Sequence, residues 1–360
     1  MKLKTIAAAI ALGTAGLSSA SDSLSMQLFR ELAQSTQGNL AFSPAGVENI
    51  LNTLKSYSAG ETLAELNALP MNENSPKLNI AVQQADGLFV SNKLTLRPDI
   101  KNAVTINFAE SNKAAQTINQ WCAEHTNGRI KKLVQPQDFS SLTAFVATNA
   151  IYLKENWMFP FDPNNSFEGE FKTADGRTIT TNMMSCTAKF PAAKGEDWVA
   201  VALPYAATAQ GEQCYFVAIS PTKDIRHFAT TMTDAKYKDI IGRIGYARGN
   251  TRVIMPSFTV DGNTLDLNKA LKKAGLKGIF THADFSRLTT STEGIFLSKV
   301  MQKCFVKVDE QGTEAAAATA AVANLRALPR AVVLDRPFLW FITDLSGTST
   351  PLFMGILEQP

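Results

Sequence analysis

The chain has 360 residues, with 35 basic against 32 acidic side chains and 45% hydrophobic residues, a composition that fits a globular protein and excludes a disordered one. Setting aside the leader that carries Lys2 and Lys4 leaves 33 basic residues against 32 acidic, a net charge of about +1 with no basic stripe, which excludes a nucleic-acid footprint. Only three histidines occur, His125, His227 and His282, none with a second His or a Cys at ligand spacing, so no metal site is expected.

At the N-terminus, Lys2 and Lys4 precede an apolar run from Ile6 to Leu17, and Ser18 and Ala20 supply small residues for a cleavage site. This is the pattern of a secretory signal peptide over residues 1–20, short and lysine-flanked as in bacteria. The run is too short for a membrane span, and no later stretch reaches the roughly 18 to 20 apolar residues that one needs. The mature protein is expected to be secreted or periplasmic, with a eukaryotic route as the alternative, in which case Asn164-Asn165-Ser166 is a glycosylation sequon. No linker or repeat divides residues 21–360, which read as one domain.

Leu24, Leu28 and Leu32 recur every fourth residue and predict a helix over Ser23 to Gln34, while Ser43-Pro44 reads as the cap and first-turn proline of the next. Further helices are expected at Lys113 to His125 and at Leu267 to Ala274, the latter stopped by Gly275. Leu142 to Leu153 is an apolar run with Thr148 and Asn149 embedded, which suits a central strand covered on both faces. Strands are also expected at Val253 to Val260, Ile295 to Val308, Ala331 to Leu334, Phe338 to Thr343 and Pro351 to Leu357, with a turn at Asp344-Leu345-Ser346-Gly347. Helices first, then strands with helices interspersed, predict an α+β protein with more than one sheet.

Enzyme chemistry finds no support: there is no GxSxG elbow, no Walker loop and no GxGxxG after a strand. The cysteines, Cys122, Cys186, Cys214 and Cys304, form no CxxC pair; they are expected as buried free thiols or as one bridge, with Cys186 and Cys214 the first pair to consider.

One segment breaks the local rules. Residues 309–326 read DEQGTEAAAATAAVANLR, an Ala run that should be a helix or a linker, yet it stands between strand candidates. Read with a period of two, one face presents Thr313, Ala315, Ala317, Thr319, Ala321 and Ala323, all small and uncharged, while Glu314 points the other way. Such a face could enter the middle of a sheet, and Gly312 just before it supplies a hinge.

The run Glu310-Gln311-Gly312-Thr313-Glu314-Ala315-Ala316-Ala317-Ala318-Thr319 resembles the hinge of inhibitory serpins, the serine protease inhibitors. Asp335-Arg336-Pro337-Phe338 with Pro351-Leu352-Phe353-Met354-Gly355 resembles their C-terminal signature, and Asn39 to Pro44, Asn149 to Trp157 and Met255 to Phe258 match as well. The resemblance implies three β-sheets, about eight or nine helices and an exposed reactive-centre loop, here about 310–334. It also implies a non-enzymatic monomer without cofactor, trapping a serine protease covalently.

Family spacing places the residue before the scissile bond fourteen positions after the glycine and eleven before Pro337; both counts give Arg326, so the bait bond is Arg326–Ala327, flanked by Asn324 and Leu325. Arginine there implies trypsin-like targets, and Arg330 is the rival bait. Ser43, Asn149, Gln302 and Trp157 are grouped as a network controlling the opening of the sheet. In it the family usually has a serine where this chain has Gly46 and a histidine where it has Gln302. The chain is shorter than family members between Leu69 and Leu88 and around Pro98 to Phe108, with no basic cluster there, so activation by a heparin-like glycosaminoglycan is not expected. Two alternatives stand: a non-inhibitory serpin, whose hinge would carry bulky or charged residues or proline, and an unrelated protein with an Ala-rich linker.

Overall fold

The computed structural model describes residues 22–72, 80, 82–206, 212–245, 249–291, 295–313 and 330–360. The leader and residues 314–329, which include Arg326, Ala327 and the small face from Ala315 to Ala323, lie outside the described residues.

The first helix, Leu24–Ser35, begins where the Ser23 side chain accepts from the Met26 N–H, and it buries Leu24, Leu28, Phe29 and Leu32. The second, Pro44–Tyr57, opens on Ser43 as N-cap with Pro44 in its first turn. Gly60–Ala68, Ser111–His125, Ile225–Thr230, Asp234–Ile244 and Asn268–Lys273 complete seven α-helices among the described residues, beside three short 3-10 helices. Gly275, two residues past the last of these, has φ +111°, a conformation that only glycine takes readily.

The strands form three sheets. A six-stranded antiparallel sheet runs Leu40–Phe42, Phe353–Leu357, Phe338–Thr343, Tyr215–Pro221, Trp198–Pro204 and Ala192–Lys194. Alternate residues of each strand enter different cores: Leu339 and Phe341 face the helical side with Leu24 and Ile50, whereas Phe338, Trp340 and Ile342 pack with Phe216 and Phe258. Burial on both faces is why Phe338 to Thr343 reads as an unbroken apolar run. A four-stranded sheet runs Arg330–Val333, Thr251–Pro256, Thr178–Ala188 and Phe167–Lys172, its first pair parallel.

The largest sheet is built on two parallel strands, Phe145–Leu153 and Leu297–Val308, paired from Phe145 opposite Leu297 to Tyr152 opposite Phe305. Val82–Ser91 and Ala103–Ile106 extend it beside Phe145–Leu153, Phe258–Asp261 and Leu265–Asp266 flank the far edge of Leu297–Val308, and Gly312–Thr313 with Glu155–Asn156 lie on the inner side of that strand, past the end of the paired stretch. The single strand expected over Val253 to Val260 is two, in different sheets: the chain leaves the four-stranded sheet at Pro256, and the Ser257 N–H turns to the Asn182 carbonyl. No cysteine is bridged, Cys186 and Cys214 included. Burial pushes the thiols of Cys122 and Cys186 up to about 11 and those of Cys214 and Cys304 higher still, which favours the protonated thiol in all four at neutral pH.

Candidate functional site

The hinge is tied down at the end of the central strands. After Val308 the chain turns through Asp309 to Gln311, and Gly312–Thr313 comes back antiparallel to the strand it has left, with Thr313 opposite Val308. On its other side the same dipeptide pairs with Asn156 and Glu155. Gly312 has no positive φ; what demands glycine is proximity, because a Cβ there would strike the Glu155 carbonyl and lie 2.8 Å from the Asn156 Cα. Its conformational freedom as a hinge is therefore not what this structure uses. Thr313 is fully buried, and its hydroxyl shares a 2.7 Å hydrogen bond with Tyr205.

Trp157 braces this turn. Its indole Nε1 donates to the Asp309 carbonyl at 2.9 Å, its backbone N–H to that of Gln311, and its ring stacks on Tyr205 with centroids 4.7 Å apart. Glu310 accepts from Ser166 Oγ at 2.8 Å and Asn182 Nδ2 at 2.9 Å. Partial burial alone would raise its carboxyl, but those hydrogen bonds, its own backbone N–H and Lys307 outweigh that and hold it below the ordinary glutamate range.

Farther down the same seam lies a buried polar network. Gln302 and Asn149 are register partners on the two parallel strands, and Gln302 Nε2 donates to Asn149 Oδ1 at 2.8 Å. Gln302 also bonds both backbone groups of Ser43: its Nε2 donates to the carbonyl and its Oε1 accepts from the N–H, each at 2.8 Å. Ser43 Oγ donates to the Leu352 carbonyl, in the C-terminal signature, and accepts from the Gly46 N–H. Asn149 Nδ2 reaches Asp86 Oδ1 on the next strand at 2.7 Å. Ser43, Asn149 and Gln302 have no accessible surface, and their polar groups satisfy one another, as buried groups must.

Sequence reasoning groups Trp157 with these three; the structure places it apart from them. Trp157 lies beyond the strand that carries Asn149, shares no hydrogen bond with the network, and holds the hinge instead. Asp86 and Tyr205 were missed altogether. An acid inside an apolar strand, Asp86 before Gly87, is a local inconsistency that could have flagged the first; nothing near Tyr205 in sequence points to Thr313.

Arg330 has its backbone committed to the sheet, its strand running parallel to Thr251–Pro256 with Arg330 opposite Thr251. Among the described residues no group of three or more His, Cys, Asp or Glu could hold a metal ion.

The profile of the family described as Serpin (serine protease inhibitor) matches residues 19–360. The chain belongs to the serpin family. Among curated serpins it is similar to plasminogen activator inhibitor 1 of Sus scrofa, 29% identical with 93% of this chain and 90% of the relative covered. Glia-derived nexin of Homo sapiens is 28% identical with 93% and 91% covered. A serpin-like protein of Thermococcus kodakarensis is 29% identical with 94% and 84% covered. The fold is that of solved serpins: native protease nexin-1 with heparin superposes with a TM-score of 0.80, at 24% identity and 94% and 97% coverage. The thermophilic serpin tengpin in its native state gives 0.78, at 23% identity and 94% and 92% coverage.

Proposed function

We propose that this serpin is a suicide inhibitor of trypsin-like serine proteases, cleaved at Arg326–Ala327 and exported after loss of its leader. The observation that carries this reading is the seating of Gly312–Thr313. The dipeptide runs antiparallel between Val308 on one side and Glu155 on the other, at the mouth of a seam that the two parallel strands close from Tyr152 and Phe305 downward. A strand continuing from Thr313 has one way to go, between them.

The register of that insertion follows. Each residue gained along the loop retreats by one on both neighbours, so Thr319 falls opposite Asn149 and opposite Gln302, and Ala323 falls opposite Phe145, where the strand begins. Thr313, Asn149 and Gln302 share the face of the sheet that carries Ile151, Cys304 and Val308, so Thr319 would bring its hydroxyl between the two amides. The tether thus fills the seam and offers a new partner at the place where insertion breaks the Asn149–Gln302 bond.

In the mechanism, the serine of the protease attacks the Arg326 carbonyl; the bond to the Ala327 nitrogen breaks, that nitrogen takes a proton, and an acyl-enzyme remains. Insertion then carries the bound protease away before water deacylates it. The uninserted form is held by kinetics, and insertion releases stored free energy. Arg330 is the poorer bait because seating it in a protease cleft would peel its strand from Thr251.

Mixing with trypsin tests the reading. The expected result is a complex that survives boiling in detergent and a released C-terminal peptide beginning at Ala327. Clean cleavage without a complex would favour a non-inhibitory serpin, and a peptide beginning at Ala331 would move the bait to Arg330.

A further inference from the structure

A cleft of about 600 Å3 opens between the strand Ala192–Lys194, the end of the helix Asp234–Ile244 and the start of the strand Arg330–Val333. The charged residues lining it are Lys194, Arg243 and Arg330, all basic and all exposed; among the described residues no carboxylate lines it. Asp239, outside the lining, is paired with Arg243 at 2.9 Å, and Glu196 is exposed two residues beyond Lys194. Arg330 Nη1 reaches toward the Ala192 carbonyl at 3.5 Å, so its guanidinium lies at the wall formed by that strand. Exposed Lys189 and Arg252, whose neighbours Ala188 and Thr251 are register partners, add positive charge nearby.

This surface is tied to the bait by chain length. Arg330 follows Arg326 by four residues, which span at most roughly 14 Å when extended. A protease of about 220 residues has a radius of gyration of about 17 Å, so one engaged at Arg326 overhangs the cleft.

We propose that this cleft is a secondary docking surface for the target protease, taking an acidic loop beside that protease's active site; the inference rests on the reading of Arg326 as bait. Lys194, Arg243 and Arg330 would steer the encounter and select among proteases with the same arginine-binding pocket, since complementary charge acts mainly on association rate.

The test compares an anionic with a cationic trypsin as probes. The second-order rate of covalent complex formation is measured at about 0.01 M and about 1 M salt, where the Debye length is about 30 Å and about 3 Å. The expected result is a rate at least about tenfold higher with anionic trypsin at low salt, vanishing at high salt. In a Lys194→Glu, Arg243→Gln variant that preference should fall to near one, with the high-salt rate unchanged as the control for folding. Equal low-salt rates for the two trypsins, or a preference that survives in the variant, overturns the docking surface and leaves Arg326 as bait. Absence of a covalent product from either trypsin overturns the bait reading, and the docking surface with it.

Discussion

Gly46 and Asn149 share one volume: a Cβ on Gly46 would collide with the Asn149 side-chain amide, lying 2.9 Å from its Cγ. The resemblance to serpins implies serine at the place of Gly46 and histidine at that of Gln302. In this chain the Asn149 amide takes the space beside Gly46 while its oxygen accepts from Gln302. The two departures therefore form one rewired network.

Gly46→Ser should displace the Asn149 amide and cost its bonds to Gln302 and Asp86, a loss of about 2–3 kcal/mol. The half-life of inhibitory activity at 37 °C should shorten at least tenfold. An unchanged half-life would show that the space is not contested.

Thr313→Arg puts a charge where there is no accessible surface and where the wild-type hydroxyl meets Tyr205. The charge should drive this residue out of its place between Val308 and Glu155, so that insertion must then bury it unpaired and slows. Trypsin should then cleave the variant, with the inhibitor consumed per protease trapped rising at least about tenfold by titration. Undiminished complex formation would defeat the argument from the small face.

Thr319→Val tests the register. The uninserted protein should keep its stability and its rate of attack by trypsin, because the change lies on the tether. The cleaved, inserted form should lose about 1–3 kcal/mol, since the amides of Asn149 and Gln302 meet a methyl group. Equal stability of the two cleaved proteins by guanidinium unfolding would place a different residue between those strands.

Glu48 is buried against Ser25, Thr350 and the Asn72 backbone, and burial raises its pKa despite those hydrogen bonds and Lys55. A carboxyl raised on folding binds its proton more tightly in the folded state. Its contribution is therefore fully present below the ordinary glutamate value and is lost as pH rises through the folded one. Glu48→Gln should raise the thermal midpoint at pH 7 relative to wild type, the gap closing toward pH 4. A gap independent of pH would assign the effect to packing.

Legibility in the sequence followed the range of the interaction. Phe338 to Thr343 was read at its true bounds because burial on both faces leaves an unbroken apolar run. Leu142 to Leu153 was found but begins at Phe145, because the Ser140–Thr143 turn, closed by the Thr143 N–H on the Ser140 carbonyl, takes its first residues. The strand over Val253 to Val260 hid a change of sheet that only the fold decides. In the site, Ser43, Asn149 and Gln302 were legible through the family resemblance and do meet, whereas Tyr205, Glu155 and Asp86 contribute through partners 63 to 158 residues away. Gly312 was identified, but for flexibility when the reason is the approach of the Glu155 backbone.

The central claim is that the seam between Phe145–Leu153 and Leu297–Val308 opens to take the cut loop as a strand. The most direct measurement is the thermal midpoint of the purified protein before and after a single cut at Arg326. Ten residues, 314–323, gaining neighbours on both sides should raise it by at least roughly 10 °C. An equal or lower midpoint after the cut would mean that the loop stays outside the sheet, and the account of trapping would fail.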